Sequence, residues 1–134
     1  MSNGRKPSGG NQYRTGYLSS PAWHQRRRAW FAEEERRHGI VRCAVCSRRG
    51  TLKTLELHHV DYRGVRQTAE GRWIAEEPHE DLVAVDPRCH TWLHQLIDRD
   101  PVLRGLVGRR QANLQAISRL RSKITQQLKE WITK

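Results

Sequence analysis

The sequence has few of the features that mark secreted or membrane-embedded proteins. It contains only three cysteines in 134 residues, which are too few and too oddly numbered for a disulfide scaffold. No apolar run approaches the length of a membrane span, and the first residues lack the apolar segment of a signal peptide. We therefore expect a cytoplasmic protein without a membrane partner, and thiols that stay reduced unless they bind metal.

Acidic residues are also scarce, with 14 Asp and Glu against 25 Lys and Arg, which gives a net charge of +11. The excess lies in the flanks. Residues 1–42 hold nine basic residues against three acidic ones, and residues 101–134 hold eight against one, whereas residues 43–100 hold eight against ten. Basic flanks are typical of segments that contact phosphates, and a slightly acidic centre is typical of a cation site. DNA is thus an expected partner, although a solvated basic surface without function would have the same composition.

Composition shifts along the chain predict one domain with two extensions. Residues 1–16 are rich in Gly, Ser and Arg and should form a disordered basic arm. Residues 17–100 form the predicted domain, and Asp100-Pro101 separates it from a basic, amphipathic, helical extension over 101–134. The apolar residues of this extension are three or four apart and should share one helix face: Leu114, Ile117, Leu120, Ile124, Leu128 and Trp131. That face could pack on its own domain, form a homodimer or dock on another protein.

The pattern within the domain is that of an α+β protein. A first helix should begin at Pro21 and run to about His38, since Gly39 follows. Polarity alternates in two later segments, which should pair as antiparallel strands. In chain order we expect a strand over 54–60, an irregular loop over 61–80 with a short strand near 72–75, a strand over 82–85, and a helix from Pro87 to about Asp98.

Cysteine and histidine occur at metal-ligand spacings. Cys43-x-x-Cys46 is the spacing of a zinc-knuckle turn, and a distant Cys89 could complete it. His90 and His94 are four apart, so they share one helix face and can hold one ion. Cys89 lies roughly 100° away around the helix at ~3.6 residues per turn and should point elsewhere. The sequence therefore predicts two metal sites.

These segments together resemble the HNH endonucleases, the ββα-metal or His-Me finger nucleases. The resemblance covers Leu18 to Asp98, in the small stand-alone form with a zinc knuckle that is frequent in phages and bacteria. It rests on the following motifs in this order: Tyr17-Leu18-x-Ser-x-x-Trp23, Cys43-x-x-Cys46, Leu55-Glu56-Leu57-His58-His59, Glu80-Asp81-Leu82-Val83 and Cys89-His90-x-x-x-His94.

The resemblance implies a ββα-metal core that hydrolyses DNA phosphodiester bonds, by nicking or by cutting both strands. His58, His90 and His94 would hold one divalent metal, Mg²⁺, Mn²⁺ or Ni²⁺, that polarises the phosphate. His59 would be the general base, and Glu56 would orient a histidine ligand. Asp81 stands where the family usually has an asparagine that ties down the backbone near the base.

The resemblance also implies one structural Zn²⁺ bound by Cys43, Cys46 and Cys89. Asp86 occupies the position of the family's fourth cysteine and could ligate through its carboxylate. In the alternative interpretation Asp86 only caps the following helix. The fourth zinc ligand is then His38 or water, or the site has no fourth ligand.

Six basic residues are predicted to contact DNA: Arg26, Arg27, Arg28, Lys53, Arg63 and Arg88. A solvated helix face is the competing interpretation of the arginine run. Two other functions stay open for the whole chain. It could be a catalytically weak, zinc-stabilised DNA-binding module, or an accessory subunit, such as a phage packaging component, that docks through its C-terminal helix.

Overall fold

The computed structural model describes residues 16–133, so the predicted arm over 1–16 lies, except for Gly16, outside the described residues. The described chain is an α+β arrangement of helices and three small antiparallel sheets. The helices are α1 (Pro21–His38), α2 (Pro87–Arg99) and α3 (Arg109–Thr133). The strands are β1 (Val41–Arg42), β2 (Arg49–Gly50), β3 (Glu56–His59), β4 (Val65–Gln67), β5 (Trp73–Ala75) and β6 (Leu82–Val85).

The centre of the molecule is the antiparallel pair β3–β6 with α2 following it directly. Glu56 lies opposite Val85 and His59 opposite Leu82, which confirms the predicted strand pairing. Strand β3 is shorter than predicted because residues 51–55 form a turn, in which the Leu55 N–H donates to the Thr51 carbonyl. This unit places histidines of β3 against the first turns of α2.

Helix α1 has the predicted bounds. The Ser20 hydroxyl accepts the Trp23 N–H at 3.1 Å, and Gly39 ends the helix with φ of 79°, a conformation that favours glycine. Trp23, Trp30 and Phe31 are buried, and Trp23 reaches the side chain of His59. The helix thus forms one wall of the region around β3.

The prediction of an irregular loop over 61–80 is wrong in part. Strands β4 and β5 form a hairpin within it, with Val65 opposite Ala75. Strand β5 confirms the short strand predicted near residues 72–75, whereas β4 was not predicted. Gly71 has φ of 88° in the connecting turn. The hairpin leads into Glu77, which is almost fully buried.

Helix α3 packs on α2 and on the residues before it, but not through the whole predicted face. Ala112, Ala116 and Ile117 are buried, whereas Leu114 is 51% and Trp131 77% exposed. The small alanines let the helix approach closely, and they lie outside the predicted face, which contained only large apolar residues. No helix between residues 16 and 133 is long and apolar enough to cross a membrane.

Candidate metal centres and catalytic cleft

The three cysteines meet at the loop between β1 and β2. Cys43 and Cys46 lie in this loop, and the Cys43 Sγ accepts the N–H groups of Val45 and Cys46, each at 3.4 Å. The Ala44 N–H donates to Ala84 of β6 at 2.8 Å and fixes the loop to the central strand pair. Cys89 comes from the first turn of α2, and the three sulfurs lie within 4.8 Å of one another.

Electrostatics at this cluster favour a bound cation. Burial opposes ionisation of Cys43, but N–H groups of Cys46, Asp86 and Val45 outweigh it and lower the pKa of the Cys43 thiol. Burial, together with the neighbouring Cys43, raises the pKa of Cys89. Three thiolates this close together, two of them buried, can coexist only with positive charge between them, so the cluster could hold a metal ion, and thiolate ligands suit Zn²⁺.

Asp86 does not join the three sulfurs. Its Oδ1 accepts the Arg88 N–H at 2.9 Å as the N-cap of α2, and its Oδ2 lies 3.4 Å from Arg48. The geometry therefore corresponds to the capping alternative. The other candidate, His38, is exposed and lies 3.8 Å from Glu34.

A second cluster is formed by the three predicted histidine ligands. His58 lies on β3, and His90 and His94 lie on one face of α2. One ring nitrogen from each lies within 4.8 Å of the others, and the two Nε2 atoms of His90 and His94 are 3.2 Å apart. Two nitrogens bound to one ion at ~2.1 Å would lie ~3.4 Å apart in a tetrahedral site. The three imidazoles could therefore hold one metal ion.

Two hydrogen bonds orient these rings toward the shared point. Glu56 Oε1 lies 2.8 Å from His90 Nδ1, the kind of contact predicted for Glu56. Asn113 of α3 donates its amide to backbone carbonyls of Arg109 and Val60, so its Oδ1 accepts from His58 Nε2. His90 is then protonated on Nδ1 and His58 on Nε2, which leaves the other nitrogen of each ring to ligate. Burial lowers the pKa of His58 and keeps it neutral.

His59 is held in a stack of aromatic rings beside this cluster. Its ring lies 4.4 Å from Tyr62 at 10°, and 4.9 Å from Trp23. Its Nε2 lies 2.6 Å from Glu77 Oε2. Adjacent residues of a regular strand point to opposite faces, but β3 ends at His59, and both His58 and His59 line one cleft.

Glu77 is the carboxylate that fixes His59. Its Oε2 also accepts the Tyr17 hydroxyl at 2.5 Å. Burial disfavours the Glu77 anion, but the hydrogen bonds from His59 and Tyr17 outweigh it and hold the pKa of Glu77 below its usual value. Burial lowers the pKa of His59 even beside this carboxylate. The pair is thus a neutral imidazole that donates Nε2–H to an anion, with Nδ1 as its basic nitrogen.

Asp81 is fully buried, and its carboxylate binds arginines. Arg63 Nε lies 2.7 Å from Asp81 Oδ2, and Arg110 binds Asp81 Oδ1. The loop near His59 is held instead by the backbone, where the Asp81 carbonyl accepts the Val60 N–H at 2.8 Å. An asparagine would carry no charge at this position, whereas the negative charge of Asp81 is balanced by these two arginines.

The predicted DNA-contacting residues divide into two groups. Arg26 donates twice to the Glu77 carbonyl and Arg27 to the Leu55 carbonyl, so both guanidiniums hold loops together, and their contact with DNA stays a prediction. Arg63 is engaged by Asp81, as described above. The remaining three side chains are exposed: Arg28, Lys53 and Arg88.

The histidines open into a cleft of about 330 Å³ that also contains residues missed in the sequence. Arg109, at the start of α3, lines it with Tyr62 and the four histidines. Glu77, Asn113 and Arg109 come from elements distant in sequence, and no spacing pattern connects them to the histidines.

A comparison with family models, curated proteins and solved structures finds no match for this chain.

Proposed function

We propose that this protein is a metal-dependent DNA endonuclease of the HNH type, with β3, β6 and α2 as its ββα-metal core. One observation carries the proposal. His58, His90 and His94 converge on one point, and a fourth imidazole, His59, is held beside them in the same cleft by a buried carboxylate. Basic flanks and a slightly acidic centre also suit a DNA substrate.

The donor set indicates which divalent ions fit. Three neutral imidazoles suit Ni²⁺ or Zn²⁺ better than Mg²⁺, which prefers oxygen ligands, with Mn²⁺ between them. When bound, the ion would act as a Lewis acid on the scissile phosphate and stabilise the charge on the leaving 3′ oxygen. The thiolate cluster would hold a separate, structural Zn²⁺ that fixes the β1–β2 loop to α2.

The residues around His59 would supply the proton chemistry. Glu77 holds Nε2–H, so Nδ1 accepts a proton from water as the water oxygen bonds to phosphorus and the bond to the 3′ oxygen breaks. The low pKa of His59 keeps the ring neutral and able to accept that proton at neutral pH. Trp23 and Tyr62 prevent the ring from turning.

Plasmid nicking tests this proposal. Wild-type protein, His59→Ala and His24→Ala are incubated with supercoiled plasmid and Ni²⁺, Mn²⁺ or Mg²⁺. His24 is exposed on α1 and serves as the matched control. Nicked circles should form with the wild type and His24→Ala, and about 10²- to 10⁴-fold more slowly with His59→Ala. Equal amounts of nicked circle with all three proteins would refute the assignment.

One observation favours a second function, docking on a partner protein. Leu128, Trp131 and Ile132 at the end of α3 are 56%, 77% and 71% exposed. An apolar helix end of this kind suits an accessory module, for example in phage packaging, that binds DNA without cutting it. DNA binding without nicking under every metal condition would favour this alternative.

A further inference from the structure

We propose that Arg109 binds the scissile phosphate, so that α3 is part of the catalytic cleft and not an appended basic helix. The proposal rests on the proposed nuclease function and extends it to a residue outside the segment that resembles the HNH family.

The position of the guanidinium is fixed by stacking. Arg109 Cζ lies 4.3 Å from the centroid of the Tyr62 ring, and Tyr62 stacks on His59 at 4.4 Å. The Trp23 ring also contacts His59, at 4.9 Å and 33° between the ring planes, so the cation lies at the edge of an aromatic cluster that contains the proposed base. A fixed cation loses little freedom when it binds an anion.

Its hydrogen-bonding capacity is only partly used within the protein. Arg109 Nη2 donates to the His59 carbonyl at 2.8 Å. Its Nε is buried and has no hydrogen-bond partner among residues 16–133. A guanidinium has five N–H donors in a planar fork that matches the oxygens of a phosphate. Donors therefore remain for a ligand.

Its neighbour Arg110 differs in this respect. Arg110 binds Asp81 and lies 3.4 Å from Asp61, so its charge is neutralised by buried carboxylates. Asp98 is the acidic residue that lines the cleft with Arg109, and its side chain is exposed. Two consecutive arginines thus serve different purposes: one stabilises the loop near His59, and the other presents a cation to the cleft.

The location agrees with the chemistry of the cleft. Arg109 lines the same 330 Å³ cleft as the three histidines that could hold the metal and as the proposed base. It is also the first residue of α3, where the helix dipole adds positive potential. A phosphate between the histidines and Arg109 would be contacted from both sides, and charge that develops during water attack would be stabilised.

Three variants separate a phosphate contact from a structural role. Arg109→Ala removes the guanidinium, and Arg109→Lys keeps a charge without the planar fork. Arg72→Ala makes the same arginine deletion at an exposed position in the β4–β5 turn. Each variant is measured for plasmid nicking, for Ni²⁺ affinity by calorimetry with the zinc site loaded, for thermal unfolding, and for binding of a short DNA duplex by fluorescence anisotropy.

Arg109→Ala should lower kcat/KM about 10²-fold, in the range seen when one transition-state donor is lost. Arg109→Lys should be intermediate and Arg72→Ala unchanged, while Ni²⁺ affinity stays the same in all three. Wild-type kcat/KM in Arg109→Ala would overturn the inference, as would a loss of Ni²⁺ binding or folding that accounts for the lost activity. If the wild type itself does not nick DNA, the nuclease proposal fails, and the role of Arg109 is then tested by duplex binding alone. Equal affinity of Arg109→Ala and Arg72→Ala for the DNA duplex would overturn that role.

Discussion

The cysteine cluster and the histidine cluster use adjacent residues of one helix but have opposite surroundings. Cys89 is 2% exposed and lies beside a loop whose backbone N–H groups donate to the Cys43 sulfur, whereas the side chain of His90 is 23% exposed and faces an open cleft. The first cluster is held by backbone and the second by side chains, Glu56 and Asn113. We infer that one face of α2 maintains the fold and the next face performs chemistry.

The largest effect should come from the cysteine cluster. Cys89→Ala removes one of three sulfurs that tie the β1–β2 loop to α2, and structural zinc sites supply folding energy directly. We expect loss of bound zinc and destabilisation by more than about 4 kcal/mol. Zinc analysis and thermal unfolding by circular dichroism would measure this. An unchanged melting temperature would mean that the cluster has no structural role.

Among the residues that position His59, Glu77 should have the largest effect on activity without loss of fold. In Glu77→Gln the amide can donate to His59 Nε2, which moves the ring proton to Nδ1 and blocks the basic nitrogen. We expect kcat to fall about 10²- to 10⁴-fold, as when a general base is lost. Ni²⁺ affinity should stay at the wild-type value, and Glu77→Asp should restore part of the activity. Full activity in Glu77→Gln would exclude this positioning role.

A smaller effect is expected at Asn113. Asn113→Ala removes the acceptor for His58 Nε2–H, so the ring is no longer fixed toward the metal. Loss of a residue that orients a metal-binding histidine usually weakens metal binding 10- to 100-fold. Calorimetry with Ni²⁺ should show that weakening while zinc content stays at the wild-type level. If zinc falls and Ni²⁺ binding is intact, the two clusters are not independent.

The smallest effect should be that of Asp86→Ala. If Asp86 only caps α2, the variant loses about 1 kcal/mol of stability and keeps its zinc. Asp86→Asn is the matched control, because asparagine is an equally good cap. Loss of zinc in Asp86→Ala would instead make the carboxylate the fourth ligand and contradict the capping geometry.

Local sequence rules accounted for the helices and for the central strand pair. Ser20-Pro21 and Gly39 mark the two ends of α1, and Asp86-Pro87 marks the start of α2. These ends were predictable because a capping side chain hydrogen-bonds to backbone groups only a few residues away in the sequence. Strand β4 was missed, because its charged neighbours obscure a three-residue strand.

The histidine and cysteine clusters could be predicted from spacing and from the family resemblance, since neighbouring turns of α2 carry residues of both. Of their supporting residues, only Glu56 was predicted. Glu77 reaches His59 through the β4–β5 hairpin, and Asn113 and Arg109 reach the cleft only because small alanines let α3 pack closely. Such contacts depend on tertiary packing, which no local pattern encodes.

The division of roles between the two faces of α2 is tested most directly by calorimetric titration of zinc-loaded protein with Ni²⁺, in the wild type, His90→Ala and His24→Ala. We predict one Ni²⁺ site in the wild type and in His24→Ala, and none in His90→Ala, with the same zinc content and melting temperature in all three. Undiminished Ni²⁺ binding in His90→Ala would contradict the account.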